Sequence, residues 1–240
     1  MEFHQPGFWL AIFQIIWINI LLSGDNAIVI AMACRLLPQR ERMWGMILGA
    51  GAACALRIAF TGVVITLMSL PYLKLIGGGA LLWIAYRLLV TGDDDKNVEA
   101  VESFWRAIWM ITVADVVMSL DNVIAIAAAA KGSYLLLSLG LVVSIPMVIA
   151  GSAFLIALLE RFPFLTWAGA ALLGWIAGGL LVTDPAVAPF ISANNLTWAA
   201  EFAIWGFVLD FSWVEAVCSL TGAISVLAAA HLRLRHSAKA

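Results

Sequence analysis

Apolar residues fill seven windows of this chain, approximately 8–34, 43–70, 72–90, 104–130, 134–159, 164–183 and 202–231, and polar residues collect in the gaps between them. A helix that crosses a bilayer needs about 20 mostly apolar residues. The pattern therefore predicts an all-α polytopic membrane bundle of seven transmembrane helices, in one domain spanning residues 1–240. Most gaps are short, as suits a compact bundle. Two are longer: a linker over 91–103, containing Asp93, Asp94, Asp95 and Lys96, and a loop over 184–201 with Pro185 and Pro189. The acidic run reads as a solvated hinge. The first window does not read as a cleaved signal peptide, because residues 1–7 carry Glu2 and no Lys or Arg, and the apolar run is too long.

Composition sharpens the picture. Of 240 residues, 64% are hydrophobic and 12% charged, and mean hydropathy is +1.02. That leaves too little polar surface to cover a soluble globule. Cationic residues are unevenly placed. With the N-terminus outside, Arg35, Arg40, Arg42, Arg87, Lys96, Arg106, Arg161, Arg233, Arg235 and Lys239 fall on the cytoplasmic side, against Lys74 and Lys131 on the outer side. The positive-inside rule selects that orientation, with a cytoplasmic C-terminus, in what is expected to be a bacterial inner membrane. A net charge of −2 without a basic block gives no reason to invoke nucleic acid. Cys34, Cys54 and Cys218 are isolated and read as small packing residues, not as a disulfide framework or a thiolate site.

The chain also resembles itself. Residues 19–34 overlie 115–130 with seven identities in sixteen, including Ser23/Ser119, Asp25/Asp121 and Asn26/Asn122. Residues 77–91 overlie 169–183 with nine identities in fifteen, among them Trp83/Trp175 and the Leu-Leu-Val-Thr that ends both segments. Repeat one thus covers 8–90 and repeat two 104–183, with the seventh span unpaired. Three spans per repeat force the copies to cross the membrane in opposite directions. Inverted repeats of this kind recur in secondary transporters, whose site lies near the midplane between the halves.

An ionised side chain at mid-membrane costs roughly 2.5–3.5 kcal/mol even on a lenient scale, so buried acids imply a partner or a bound cation. In a regular helix Asp115, Ser119 and Asn122 share one stripe, as do Asn19, Ser23 and Asn26. Asp25 and Asp121 sit one position before each Asn, about 100° around the helix. For Asp and Asn to reach one ligand the helix has to loosen, which Gly24 eases in the first copy and Leu120 does not in the second. The candidate donors are the carboxylates of Asp25, Asp115 and Asp121, the amides of Asn19, Asn26 and Asn122, and the hydroxyls of Ser23 and Ser119. All are oxygen ligands, suited to Mg²⁺, Ca²⁺ or Mn²⁺, whereas zinc and copper sites recruit His or Cys. The three histidines, His4, His231 and His236, lie near the chain ends.

Each residue has a plainer use. Asn19 and the serines serve equally as interhelical hydrogen-bonding glue. Asp25 and Asp121 are also explained by an ion pair with Arg57. Arg57 reads either as a counter-charge that holds the empty site together or as a tie to Glu215 or Asp210 in the seventh span, acids equally placed to relay protons.

LLSGDNAIVIAMACRLLP, its echo SLDNVIAIAAAA, the ALRI around Arg57 and LGWIAGGLLVTDP together resemble the TerC family, in its short YjbE-like branch. The resemblance covers practically the whole chain and implies an integral membrane exporter of manganese, with Asp25, Asn26, Asp121 and Asn122 as the matching site positions. Mn²⁺ would be the transported substrate, and no cofactor is expected. With no Walker motif, efflux against an inside-negative potential would draw on H⁺ exchange. Two other classes compete. A membrane metal sensor, or a scaffold supporting exported proteins, would bind the ion without moving it. An intramembrane aspartyl hydrolase would use the two aspartates on water, but Leu22 stands where the G-x-G-D form needs glycine. The partners expected are lipid bilayer and divalent metal, and the sequence leaves homo-oligomerisation open.

Overall fold

A computed structural model of the protein describes residues 13, 16, 24–61, 70–94, 100–129, 134–193, 199–204 and 207–237. Helix dominates. In chain order the elements are α1 (Gly24–Cys34), α2 (Gln39–Thr61), α3 (Leu73–Asp94), α4 (Ala100–Ala129), α5 (Tyr134–Arg161), α6 (Phe164–Val182), α7 (Ala188–Ala193), strands β1 (Ala199–Ile204) and β2 (Phe207–Ser212), and α8 (Trp213–Ser237). Among the described residues five stretches are long and apolar enough to cross a bilayer: Gln39–Thr61, Leu73–Val90, Ser138–Arg161, Phe164–Val182 and Trp213–Arg235. Gly24–Cys34 is a shorter apolar helix, and the rest of the first predicted span lies outside the described residues. α4 runs for 30 residues and carries Glu102, Arg106, Asp115 and Asp121 along an otherwise apolar sequence.

Three boundaries differ from the hydropathy windows. α2 starts at Gln39, ahead of its apolar run, because the Pro38 carbonyl accepts from Glu41 and Arg42 N–H and opens a polar first turn. Hydropathy measures what tolerates lipid, whereas a helix continues past the lipid edge while its backbone bonds do. The linker expected over 91–103 is shorter, since α3 extends to Asp94 and α4 begins at Ala100. The seventh helix, expected from 202, begins at Trp213. Before it, β1 and β2 pair antiparallel with Ala199 opposite Ser212 and Ile204 opposite Phe207, and α7 occupies part of the expected loop. Apolar content cannot tell such strands from the first turns of a helix.

The helices form two compact units. One comprises α1, α2, α4 and α5, and the other α3, α6 from Trp167 onward, α7, the hairpin and α8. The units cut across the sequence repeat: the first takes the opening two helices of each half, and the second takes the third.

Within the first unit several polar side chains turn inward among the apolar core, and several large aromatic ones turn outward. Arg57, Asp115, Ser119, Ser144 and Ser152 are buried, while Trp44, Trp105, Trp109 and Phe154 are exposed. α2 lies close against α4 at Gly49, where a methyl group would come within 2.9 Å of Ile111. The turn from α1 to α2 is tied by Arg42, whose guanidinium donates to the carbonyls of Leu37 and Arg35 and pairs with Glu160 at 2.5 Å. Arg35 donates in turn to Thr166.

In the second unit α6 crosses α8 at small residues. A Cβ on Gly174 would sit 2.7 Å from the Gly222 carbonyl, so close backbone approach replaces side-chain interdigitation. Asp184 closes the unit. It is wholly buried, takes N–H bonds from Tyr72 (2.9 Å), Leu75 (3.1 Å) and Ala186 (2.7 Å), and so caps α3 from a distant part of the chain.

Candidate metal site

Four helices of the first unit each offer one face to a small cavity. α2 contributes Ala50, Ala53, Cys54 and Arg57, a stripe at i, i+3, i+4 and i+7, and α5 contributes Leu141, Ser144, Ile145 and Val148 at the same spacing. α1 adds Asn26 and Ile30, and α4 adds Asp115. The space measures about 30 Å³, room for one ion or one water. Its lining comes from both sequence halves.

The polar groups here are unusually placed. Arg57 and Asp115 are 6% and 8% exposed, and the guanidinium Nη2 donates to Asp115 Oδ1 at 2.5 Å. The second carboxylate oxygen, Oδ2, is buried and has no hydrogen-bond partner among the described residues. Neither does the side-chain amide of Asn26, at its nitrogen or its oxygen, although the residue is 4% exposed. Outside the lining, Thr112, one turn before Asp115 on α4, also buries its hydroxyl without a partner among the described residues. Leaving a buried polar group unsatisfied costs about 1–3 kcal/mol, so native proteins seldom gather several in one place without use for them. Asp25 lies nearby, half-buried, its carboxylate accepting the Asn26 backbone N–H at 2.9 Å. It is within electrostatic reach of both Arg57 and Asp115.

The residues expected from sequence divide as follows. Asn26, Asp115 and Arg57 meet at the cavity, and Asp25 stands beside them without lining it. Arg57 pairs with Asp115. Ser119 is buried on α4 and its hydroxyl donates to the Val116 carbonyl at 3.4 Å, an intrahelical use. Asn19 and Ser23 lie outside the described residues, as do the side chains of Asp121 and Asn122, whose backbone belongs to α4. Among the described residues no three His, Cys, Asp or Glu side chains converge. Asp210 was expected in the seventh helix and instead lies on β2, its backbone opposite Glu201. Glu215, expected near mid-helix, sits in the first turn of α8, exposed, in the second unit beside Gly179.

Cys54 and Ser144 were not anticipated in the lining. Ser144 did leave a trace in the sequence: Pro146 two residues later interrupts the backbone bonding of an otherwise apolar helix, a feature that membrane helices keep where neighbours compensate. The Ser144 hydroxyl donates to the Leu141 carbonyl at 2.7 Å, and the residue lines the cavity from α5.

The sequence model of the integral membrane protein TerC family matches residues 4–229. The chain belongs to the TerC family. It is 41% identical to the membrane protein YjbE of Bacillus subtilis (strain 168) over 191 residues, covering 80% of this chain and 88% of that one. YceF of the same organism is 25% identical over 183 residues, 72% and 71% of the two chains. The inner membrane protein YgdQ of Escherichia coli (strain K12) is 28% identical over 138 residues, half of this chain and 58% of its own. No solved structure matches. This TerC chain is thus an integral membrane protein whose buried charges lie in a unit made of α1, α2, α4 and α5.

Proposed function

We propose that this TerC chain exports a divalent metal cation, Mn²⁺, from the cytoplasm by alternating access. The observation that carries the proposal is the small cavity in which buried Asp115 Oδ2 and the buried Asn26 amide have no partner among the described residues while Arg57 neutralises the other carboxylate oxygen. Arg57 holds the place of the cation when the site is empty. An arriving divalent ion competes for Asp115 and repels the guanidinium, which swings away and frees Oδ1 to join the unpartnered Oδ2. Asp25 adds charge from the adjoining turn, and Asp121, Asn122, Asn19, Ser23 and Ser119 are the further donors that the paired motif supplies.

To be held by protein oxygens at this small site, an ion sheds part of its water. Mg²⁺ dehydrates reluctantly, which favours Mn²⁺ at such a site. The seven-span inverted repeat then supplies two equivalent conformations, open to opposite faces, with the N-terminus outside and the C-terminus cytoplasmic. Protons returning through the surplus intramembrane acids drive the efflux.

Purified protein in liposomes, loaded with a Mn²⁺-quenched dye and given an imposed pH gradient, tests this. Wild type should move Mn²⁺ faster with the gradient, and Asp115→Asn and Asn26→Ala should lose at least tenfold in rate. Equal flux in wild type and Asp115→Asn overturns the assignment of the site. Flux indifferent to the gradient removes H⁺ exchange alone, and tight binding without flux identifies a sensor or scaffold.

A further inference from the structure

Among the described residues three cysteines are free, and the structure gives them different surroundings. Cys34 is wholly buried in packing, its sulfur 3.3 Å from where a Cβ on Gly45 would stand. Cys218 belongs to the second unit, with its carbonyl against Gly178. Cys54 lies one helical step from Arg57 on the same face of α2 and lines the polar cavity with Asn26 and Asp115. It is also within electrostatic reach of both Arg57 and Asp115.

A cysteine that only fills space sits among apolar groups. This one borders a charged pair, and an independent sign marks the same cavity as a place for a ligand: the Asn26 amide, more than nine-tenths buried, has neither its donor nor its acceptor matched among the described residues. The donor set facing the space is therefore a carboxylate oxygen, an amide oxygen, a hydroxyl and a sulfur. Oxygen ligands suit Mg²⁺, Ca²⁺ and Mn²⁺ alike, but of the three only Mn²⁺ is a transition-metal ion, and it accepts sulfur more readily than the other two, though less than zinc or copper does.

We propose that Cys54 is a specificity-determining ligand of the cation site, its sulfur favouring Mn²⁺ and softer divalent ions over Mg²⁺ and Ca²⁺. The inference rests on the cavity taking a divalent cation, as proposed above, and supplies a basis on which a site rich in oxygen discriminates among such ions. The thiol proton leaves to water as the sulfur–metal bond forms.

The full chain in detergent, titrated with Cd²⁺ and separately with Mn²⁺ and Mg²⁺, tests it. Wild type should develop an ultraviolet sulfur-to-cadmium charge-transfer band that Mn²⁺ competes away. The band should vanish in Cys54→Ser and persist in Cys34→Ser and Cys218→Ser. In Cys54→Ser and Cys54→Ala the preference for Mn²⁺ over Mg²⁺ should fall about tenfold, the equivalent of about 1.4 kcal/mol. Cd²⁺ binding to wild type without the band, or a band that survives Cys54→Ser, overturns the sulfur ligand and leaves the cation site standing. Wild type that binds none of the three ions overturns both.

Discussion

At the scale of single residues the Arg57–Asp115 pair decides most. Two charges under 10% exposed, bonded at 2.5 Å, gain from each other roughly what their desolvation costs, so the pair adds little net stability. Removing one partner is another matter. Arg57→Leu leaves a buried carboxylate unpaired and should lower the unfolding free energy by about 3–5 kcal/mol, whereas Arg57→Leu with Asp115→Leu should recover most of it. Thermal unfolding in detergent, followed by tryptophan fluorescence, compares the three proteins. A double variant as unstable as the single one would mean that the pair itself holds the unit together. The double variant should also bind no Mn²⁺, separating stability from function. Arg57 and Asp115 were both visible as charges in apolar sequence, but 58 positions apart nothing in their spacing joined them. Cys54 was legible only as a cysteine, because its meaning comes from the helix face it shares with Arg57.

At the scale of elements, Asp184 shows how a distant residue completes a helix. α3 begins after Tyr72, which holds the left-handed φ of 69°, uncommon for a residue with a side chain. The Asp184 carboxylate binds the N–H groups of Tyr72 and Leu75 and fixes that turn. Burial would raise its pKa, but N–H donation from Ala186, Tyr72, Leu75 and Lys74 outweighs it and holds the carboxyl below its ordinary 3.8. A group depressed in the folded state stabilises fully above its unfolded pKa, and the contribution disappears as pH falls through the folded value. Asp184→Ala should therefore cost about 1–3 kcal/mol near neutral pH. The gap from wild type should stay constant down to about pH 5 and close below about pH 4. Melting curves across that range check the sign; a gap that widens in acid would show that the carboxylate is not the stabilising form. Hydropathy found the interiors of α2, α3, α5 and α6 well, since lipid-facing helices must be apolar for most of their length. It failed at polar ends such as Gln39 and at the hairpin before Trp213, where chain pairing is set by neighbours.

At the scale of the whole molecule, the distribution of Lys and Arg remains the strongest statement about orientation. A reporter active only in the cytoplasm, fused after Ser237, should be active, and one active only outside should be silent. The reverse result would turn the proposed direction of transport around. The contact pattern adds what no repeat alignment conveys: α1 and α2 pack with α4 and α5, while α3 belongs with α6 and α8. Each of these units is drawn from both sequence halves.

By itself the sequence determined that this is a membrane protein, where its apolar helices run, and that carboxylates and amides recur inside them, because the cost of polar atoms in lipid acts on composition and order alone. Membership of the TerC family followed from the same residues. Tertiary packing decided which of the buried groups meet. It brought Arg57 to Asp115, set Asn26, Cys54 and Ser144 around one small space, moved Asp210 onto a strand, and recruited Asp184 to a helix far along the chain. Those outcomes depend on how helix faces align across tens of residues, and a side chain's partners are chosen by that alignment, not by its neighbours in sequence.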